Sequence, residues 1–150
     1  MIKDDYSKLK GLGLPDFDRL NKEFGVSDIE ETDFLLRTIR ELMAEKVDSF
    51  VKILESVIQP ETNAVCMFEC KVFDDKEKLE VFDVFKKLMS FVRLSSEVAL
   101  DCDDKKDAEF ITNLFGEWLK LKPLLKEKIS KLRVSWQKDV DLKEEFGYFG

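Results

Sequence analysis

The chain has 150 residues, of which 44% are hydrophobic and 38% are charged, and its formal net charge is −7. This length and balance fit a single helical domain over residues 1–150 with a buried core. Histidine is absent, which excludes Ser/His/Asp and Cys/His catalysis and removes the commonest protein ligand of transition metals. Six glycines and three prolines are few for an all-β protein, so the composition favours an all-α fold.

Amino-acid usage also bears on the environment of the protein. Asn and Gln together number five while charged residues are abundant, a bias that resembles thermophile proteins. No stretch approaches the roughly 18 apolar residues of a membrane span, and the first residues do not look like a signal peptide. Three cysteines, an odd number, argue against a disulfide framework. We therefore expect a cytoplasmic protein that does not bind membranes.

The first residues, 1–13, are predicted to form a loosely held N-terminal arm. The segment "LPDFDRLNKEFG" that follows predicts a short helix, because Phe17, Leu20 and Phe24 share one face. Gly25 can end this helix in the left-handed conformation.

A long helix is predicted from about residue 28 to residue 59. Ser27 and Glu30 have the spacing of a capping box, and Pro60 stops the helix. At 1.5 Å per residue its length is about 48 Å, more than the width of a small globule. It therefore either spans an elongated bundle or shares its apolar face with a second chain. The apolar residues at three- and four-residue steps are Phe34, Leu35, Ile39, Leu42, Met43, Val47, Phe50, Leu54, Val57 and Ile58.

The apolar run "AVCMFECKVFDD", residues 64–75, is predicted to form a short buried helix, although its pattern also fits a strand. Thr62 or Asn63 can cap its start. Only Glu69 and Lys71 are expected to face solvent.

Two further helices complete the predicted fold. Asp74 and Glu77 have capping-box spacing and begin a helix that runs to about residue 100. The last helix, from about residue 105 to 138, contains Gly116 and Pro123, so we expect a kink or a break just before the proline. The fold prediction is an all-α, elongated helical bundle of four to five helices with a kinked C-terminal helix.

The cysteines are the first candidates for chemistry. Cys66 and Cys70 are four residues apart, and Cys102 lies among acidic residues. Structural zinc needs four ligands, which three cysteines without histidine do not supply, and the C-x-x-C spacing of redox enzymes is absent. We interpret them as core or inert cysteines, with a metal or redox role as the open alternative. The sequence predicts no catalytic residue, no metal ion and no cofactor.

The segment from Lys120 to Lys138 is strongly basic. It contains seven basic residues against Glu127 alone, a local balance of 7 − 1 = +6. Packing against acidic helices is the preferred explanation, because Trp118 and Trp136 fall on the apolar side of this helix. Phosphate binding is the alternative. The candidate nucleic-acid-binding residues are Lys120, Lys122, Lys126, Lys128, Lys131, Arg133 and Lys138.

The chain closes with an aromatic tail over residues 140–150. Its aromatic side chains either fold back onto the bundle, exchange with a second copy or bind a partner. Together with two residues of the long helix they form the predicted partner-binding set: Phe34, Phe50, Phe146, Tyr148 and Phe149.

Three functional hypotheses follow. The preferred one is a non-enzymatic protein–protein interaction or scaffold protein, a homodimer through the long helix that also binds an unidentified protein. The alternative is an accessory subunit in nucleic-acid transactions, which contacts DNA or RNA through the basic C-terminal helix. The last is a Mg-dependent all-α phosphohydrolase that uses Glu41, Glu45, Glu97 and Asp101.

Overall fold

The computed structural model describes residues 2–59 and 63–138. In these two ranges all the regular secondary structure is helical, so the predicted all-α bundle is confirmed. None of the helices in these ranges has the length and apolar character needed to cross a membrane. The α-helices are α1 (Ile2–Ser7), α2 (Phe17–Phe24), α3 (Leu35–Ile58), α4 (Ala64–Glu69), α5 (Asp75–Val98) and α6 (Asp104–Trp136), and short 3-10 helices cover Lys10–Leu12 and Val26–Asp28.

Side-chain caps fix several of these helix ends. The Asp16 carboxylate accepts a hydrogen bond from the Arg19 N–H at 3.1 Å at the start of α2, and Gly25 ends α2 with a φ of 66°. At the start of α5, the Asp74 carboxylate accepts the Glu77 N–H at 2.8 Å. The Glu77 carboxylate in turn accepts the Asp74 N–H at 3.4 Å. The predicted capping box and the predicted glycine end are both confirmed.

The start of α3 differs from the prediction. Val26 is fully buried, and its burial holds residues 26–28 in a 3-10 turn. The Ser27 N–H donates to the Asn21 side-chain oxygen at 2.8 Å, so this residue does not open a long helix. The chain then passes through Phe34, which has a φ of 57°, and α3 begins at Leu35. The predicted start near residue 28 is therefore wrong.

The last helix is continuous. α6 runs from Asp104 to Trp136 through both Gly116 and Pro123, so the break that the sequence allowed before the proline does not occur. Pro123 is exposed while Leu121 and Leu125 beside it are buried, and this burial compensates for the hydrogen bond that a proline removes. The bend at this position stays a prediction.

The contacts of the chain divide into two compact units. Among the described residues, the first unit comprises 2–49 and 88–120. Its core contains a buried arginine: the Arg40 Nε donates to the Asp107 carboxylate at 2.7 Å, and its NH1 donates to the Ser95 hydroxyl at 2.6 Å. The largest fully buried side chains of this unit are Leu20, Leu36, Ile39, Met43, Leu88, Phe110, Ile111 and Leu114.

The second unit comprises residues 50–59, 63–87 and 121–138. It contains the end of α3, all of α4, the first half of α5 and the second half of α6. Its buried apolar residues are Val51, Leu54, Val57, Phe68, Cys70, Phe73, Val81, Val84, Leu121, Leu125 and Leu132.

The N-terminal segment is anchored in the first unit rather than loosely held as predicted. Tyr6 is 3% exposed, and its hydroxyl donates to the Pro15 carbonyl oxygen at 2.5 Å. Its ring packs edge-on against Phe17, with centroids 5.3 Å apart. One aromatic side chain therefore ties α1 to α2, an interaction that the local sequence pattern of residues 1–13 does not indicate.

The buried Tyr6 hydroxyl gives a testable pH dependence. Burial raises the pKa of Tyr6 from 10.0 to about 12, and the Asp16 carboxylate adds to this effect. Because the folded pKa lies above the unfolded one, this contribution to stability is complete below pH 10.0 and is lost as the pH rises toward about 12. In Tyr148→Phe, ultraviolet absorbance of the single remaining tyrosine should show this raised pKa in the folded protein. Titration of the folded protein at the ordinary pKa would contradict this expectation.

The buried ion pair of the first unit predicts a non-additive effect. We expect Arg40→Met to lower the free energy of unfolding by about 3–5 kcal/mol, because Asp107 is left buried without its cation. Adding Asp107→Leu should recover most of this loss, since no unpaired charge remains. Chemical denaturation of the wild type, both single variants and the double variant measures the coupling. Additive losses would show that the pair is not coupled.

Candidate functional site

The outward side of α5 in the second unit exposes large apolar side chains. Leu79 is 67% exposed and Phe82 is 40% exposed, and their three-residue spacing places them on the same side of the helix. The half-buried Phe85 ring stacks on Phe82 with centroids 6.3 Å apart. The Lys86 ammonium lies 5.8 Å from the centroid of the Phe82 ring. We call Leu79, Phe82, Phe85 and Lys86 the α5 outer face.

The surroundings of the α5 outer face are cationic. Residues 75–87 contain four lysines and four acids, and two of the acids, Glu77 and Glu80, are bound to lysines of α6. Only two aspartates then remain to offset the four lysines, so the local charge balance is 4 − 2 = +2. This sign is opposite to that of the whole protein, whose net charge is −7.

The opposite side of α5 is fixed by two lysines of α6. Lys128 is 3% exposed, and its ammonium lies 3.1 Å from a carboxylate oxygen of Glu80. The Lys131 ammonium lies 2.7 Å from Glu77. Both ammonium groups also lie close to the Phe73 ring, at 5.6 and 5.2 Å from its centroid. These contacts set the rotation of α5 about its axis, and Leu79 and Phe82 point away from them.

Two of the predicted nucleic-acid-binding residues, Lys128 and Lys131, are thus bound to carboxylates. The other five are placed differently. Lys120 pairs at 3.5 Å with the acid three residues before it, and Lys122 also has an interaction partner. Lys126, Arg133 and Lys138 are exposed. The structure therefore uses part of the basic segment for internal pairing, which reduces the surface available for phosphates.

The connector around α4 contains a buried carboxylate that the sequence placed in solvent. Glu69 is 9% exposed, and it accepts hydrogen bonds from the Ser56 hydroxyl at 2.6 Å and the Trp136 indole at 3.1 Å. The Trp136 ring packs on Phe68, with centroids 4.2 Å apart. Val65 is instead 53% exposed. The predicted orientation of Glu69 is wrong because two donors from other helices satisfy its carboxylate inside the unit.

The cysteines are thiols in different environments. Cys66 is half-buried, Cys70 is buried and Cys102 is exposed. The Cys70 thiol donates to the Met67 carbonyl oxygen at 3.3 Å. No three or more cysteine, aspartate or glutamate side chains of the described residues are grouped so that they could hold a metal ion.

The same finding applies to the acids of the phosphohydrolase hypothesis. Glu41, Glu45, Glu97 and Asp101 belong to the described residues and do not converge as a ligand set. Asp101 instead pairs with Lys106 at 2.8 Å. The chain therefore does not assemble these four carboxylates into the magnesium site that the hypothesis requires.

The predicted partner-binding residues fall in different places. Phe34 is 66% exposed at the start of α3, and the Arg37 guanidinium lies 4.5 Å from its ring centroid. Phe50 is half-buried in α3. The three aromatic residues of the tail, Phe146, Tyr148 and Phe149, lie outside the described residues.

The α5 outer face was missed in the sequence, although a signal was present. The main apolar stripe of this helix includes Val81, Phe85 and Leu88 at four- and three-residue steps. Leu79 and Phe82 are large apolar residues of the same helix that do not belong to that stripe. A second apolar strip on one helix is typical of a surface that something else covers.

No protein-family model, curated protein or solved structure matches the chain.

The contact between α5 and α6 predicts an acid-sensitive contribution to stability. The hydrogen bond from Lys131 holds the pKa of Glu77 below its usual range. The contribution is present above the unfolded pKa of a glutamate and is lost as the pH falls through the lowered folded pKa. We expect Glu77→Gln to remove this part of the acid dependence of the free energy of unfolding, as measured by urea denaturation across acidic pH. Asp83→Asn, on the outward side of the same helix, is the control, and an equal effect of both variants would contradict the assignment.

Proposed function

We propose that the protein is a non-enzymatic interaction protein that binds a segment of another protein through the α5 outer face. The observation that carries this proposal is the exposure of Leu79 and Phe82 side by side on one helix. Single exposed apolar residues are ordinary on protein surfaces, whereas neighbouring large ones mark interaction sites. Aromatic side chains are also enriched in the binding cores of interfaces.

The chemistry of this surface defines the kind of partner. Leu79 and Phe82 offer apolar contact, and Lys86 beside the Phe82 ring offers a cation near an aromatic face. The surrounding lysines favour carboxylates through complementary charge. A short segment that combines aromatic or large aliphatic side chains with Asp or Glu therefore fits this surface best.

Protein binding is supported over the two other hypotheses. The acids Glu41, Glu45, Glu97 and Asp101 do not form a ligand set among the described residues. The most buried lysine of the basic segment, Lys128, contacts glutamates rather than facing solvent. We place the interaction in the cytoplasm, where unpaired thiols are expected.

Self-association through the long helix remains a prediction from the sequence. The apolar stripe of α3 is buried within the chain itself, with Ile39, Met43 and Val47 fully inaccessible. A homodimer through α3 would have to use its outward side, where Ile53 is 36% exposed. The α5 outer face offers more apolar surface, so we assign the interaction to α5.

Binding of short peptides tests the proposed function. We expect an arrayed library of acidic–aromatic peptides to bind the protein, and matched peptides with Lys in place of Asp and Glu to bind more weakly. Leu79→Ser/Phe82→Ser should weaken binding about 30-fold or more, since loss of interface anchors costs about 2 kcal/mol. Leu100→Ser, which changes an apolar residue that is 85% exposed and lies outside this face, is the control. Equal binding by both peptide sets, or unchanged binding by the double variant, would contradict the proposal.

A further inference from the structure

The last twelve residues of the chain have the chemistry that the α5 outer face requires. Residues 139–150 read "DVDLKEEFGYFG" and contain four acids and one lysine, a balance of −4 + 1 = −3. They also contain three aromatic side chains: Phe146, Tyr148 and Phe149. These residues lie outside the described part of the chain. An acidic–aromatic segment is thus covalently attached to the unit that contains the face.

We infer that residues 139–150 bind the α5 outer face of the same chain and compete there with a protein partner. This inference rests on the function proposed above, because it names a regulator of the same surface. The contact is autoinhibitory: a partner gains the surface only when it displaces the segment. Three features support this binding: the position at which α6 ends, the length of the segment, and the opposite charges of the segment and the α5 outer face.

The described end of α6 lies near the beginning of α5. Lys131 binds Glu77, and Lys128 binds Glu80, so α6 runs antiparallel to α5 in this unit. From Lys131 to the last described residue, Lys138, the chain advances about 10 Å if each residue adds about 1.5 Å. The segment therefore starts about 10 Å beyond the first turn of α5.

The segment is long enough to return to the α5 outer face. Phe146 is eight residues beyond Lys138, and eight extended residues span about 26 Å. The return along the helix axis from the end of α6 to Phe82 is about 18 Å. The outer face lies on the side of α5 away from α6, about 15 Å sideways, because packed helix axes are about 10 Å apart and the radius of α5 adds about 5 Å. The resulting distance of about 23 Å is shorter than the reach. Phe146 and the residues after it can thus contact Leu79 and Phe82 without any change in α6.

The charges of the segment match those of the face. Glu144 and Glu145 immediately precede the first aromatic residue, so they would meet the lysines when Phe146 packs on the apolar centre. Lys76, Lys86 and Lys87 are exposed on this part of α5. Carboxylates next to exposed lysines contribute little each, and their main effect is to orient the segment.

Covalent attachment makes a weak contact sufficient. A short flexible connection gives an effective concentration on the order of 1 mM. A segment whose free peptide binds with a Kd of about 0.1 mM would then occupy the face in about nine of ten molecules and weaken a competitor about tenfold. In a micromolar solution, this local concentration is higher than the concentration of the segment on other copies of the protein. Binding within the chain is therefore favoured over exchange of the segment between two copies.

A synthetic peptide with the sequence of residues 139–150 tests the inference. The proteins are the full chain, a tail variant (Phe146→Ser/Tyr148→Ser/Phe149→Ser), and the tail variant that also carries Leu79→Ser/Phe82→Ser. We expect the peptide to bind the tail variant, to bind the full chain about tenfold more weakly, and not to bind the combined variant. Amide NMR shifts of Leu79, Phe82 and Lys86 should also differ between the full chain and the tail variant, independent of protein concentration.

Three outcomes would overturn the inference. The first is that the peptide binds the full chain and the tail variant equally well. The second is that the peptide still binds the combined variant. The third is that the shift differences appear only as the protein concentration rises. The last outcome would assign the segment to a second copy. If library peptides bind the α5 outer face of the tail variant while the tail peptide does not, the proposed function stands and this inference falls. If neither kind of peptide binds the tail variant, both fall.

Discussion

The contacts of Lys128 and Lys131 with Glu77 and Glu80 are the constraint on which the second unit depends. Lys128 is 3% exposed, and a lysine that is buried without a carboxylate partner is costly. The requirement for these partners fixes which side of α5 faces α6. Because a helix turns about 100° per residue, fixing Glu77 and Glu80 also fixes the direction of Leu79 and Phe82. The exposed apolar surface is therefore a consequence of the ion pairs between α5 and α6, and no rotation of α5 can hide it while those pairs are kept.

In the first unit, the buried side chain of Arg40 likewise fixes how the helices pack against one another. Arg40 joins α3 to Asp107 of α6 and to Ser95 of α5, so one side chain sets the register of three helices. Such buried pairs often add little net stability, because desolvation offsets their attraction, but they disfavour alternative registers. We regard this as the role of Arg40, by hypothesis, and the coupling of Arg40 with Asp107 tests its energetic part. A bundle with fixed registers is a suitable support for a small exposed binding surface.

Local features of the fold were predictable from the sequence, and features set by distant residues were not. The Asp74–Glu77 capping box and the glycine end at Gly25 depend on residues within one turn, and both are present. The Ser27–Glu30 spacing predicted a helix start that the structure does not have, because burial of Val26 outweighs a local cap. The burial of Glu69 depends on Trp136, 67 residues away, and the Arg40–Asp107 pair has the same separation. Leu79 and Phe82 could have been identified only by asking which large apolar residues lie off the main stripe.

We expect Leu79 and Phe82 to form a solvent-accessible binding surface that the rest of the second unit does not cover. NMR relaxation with a soluble paramagnetic probe measures this directly, in the tail variant and in the full chain, with buried Val81 as the internal reference. We expect strong relaxation of the Leu79 methyl groups and the Phe82 ring in the tail variant, and weaker relaxation in the full chain. Relaxation of both residues as weak as that of Val81 in the tail variant would contradict this expectation, because Leu79 and Phe82 would then belong to the core.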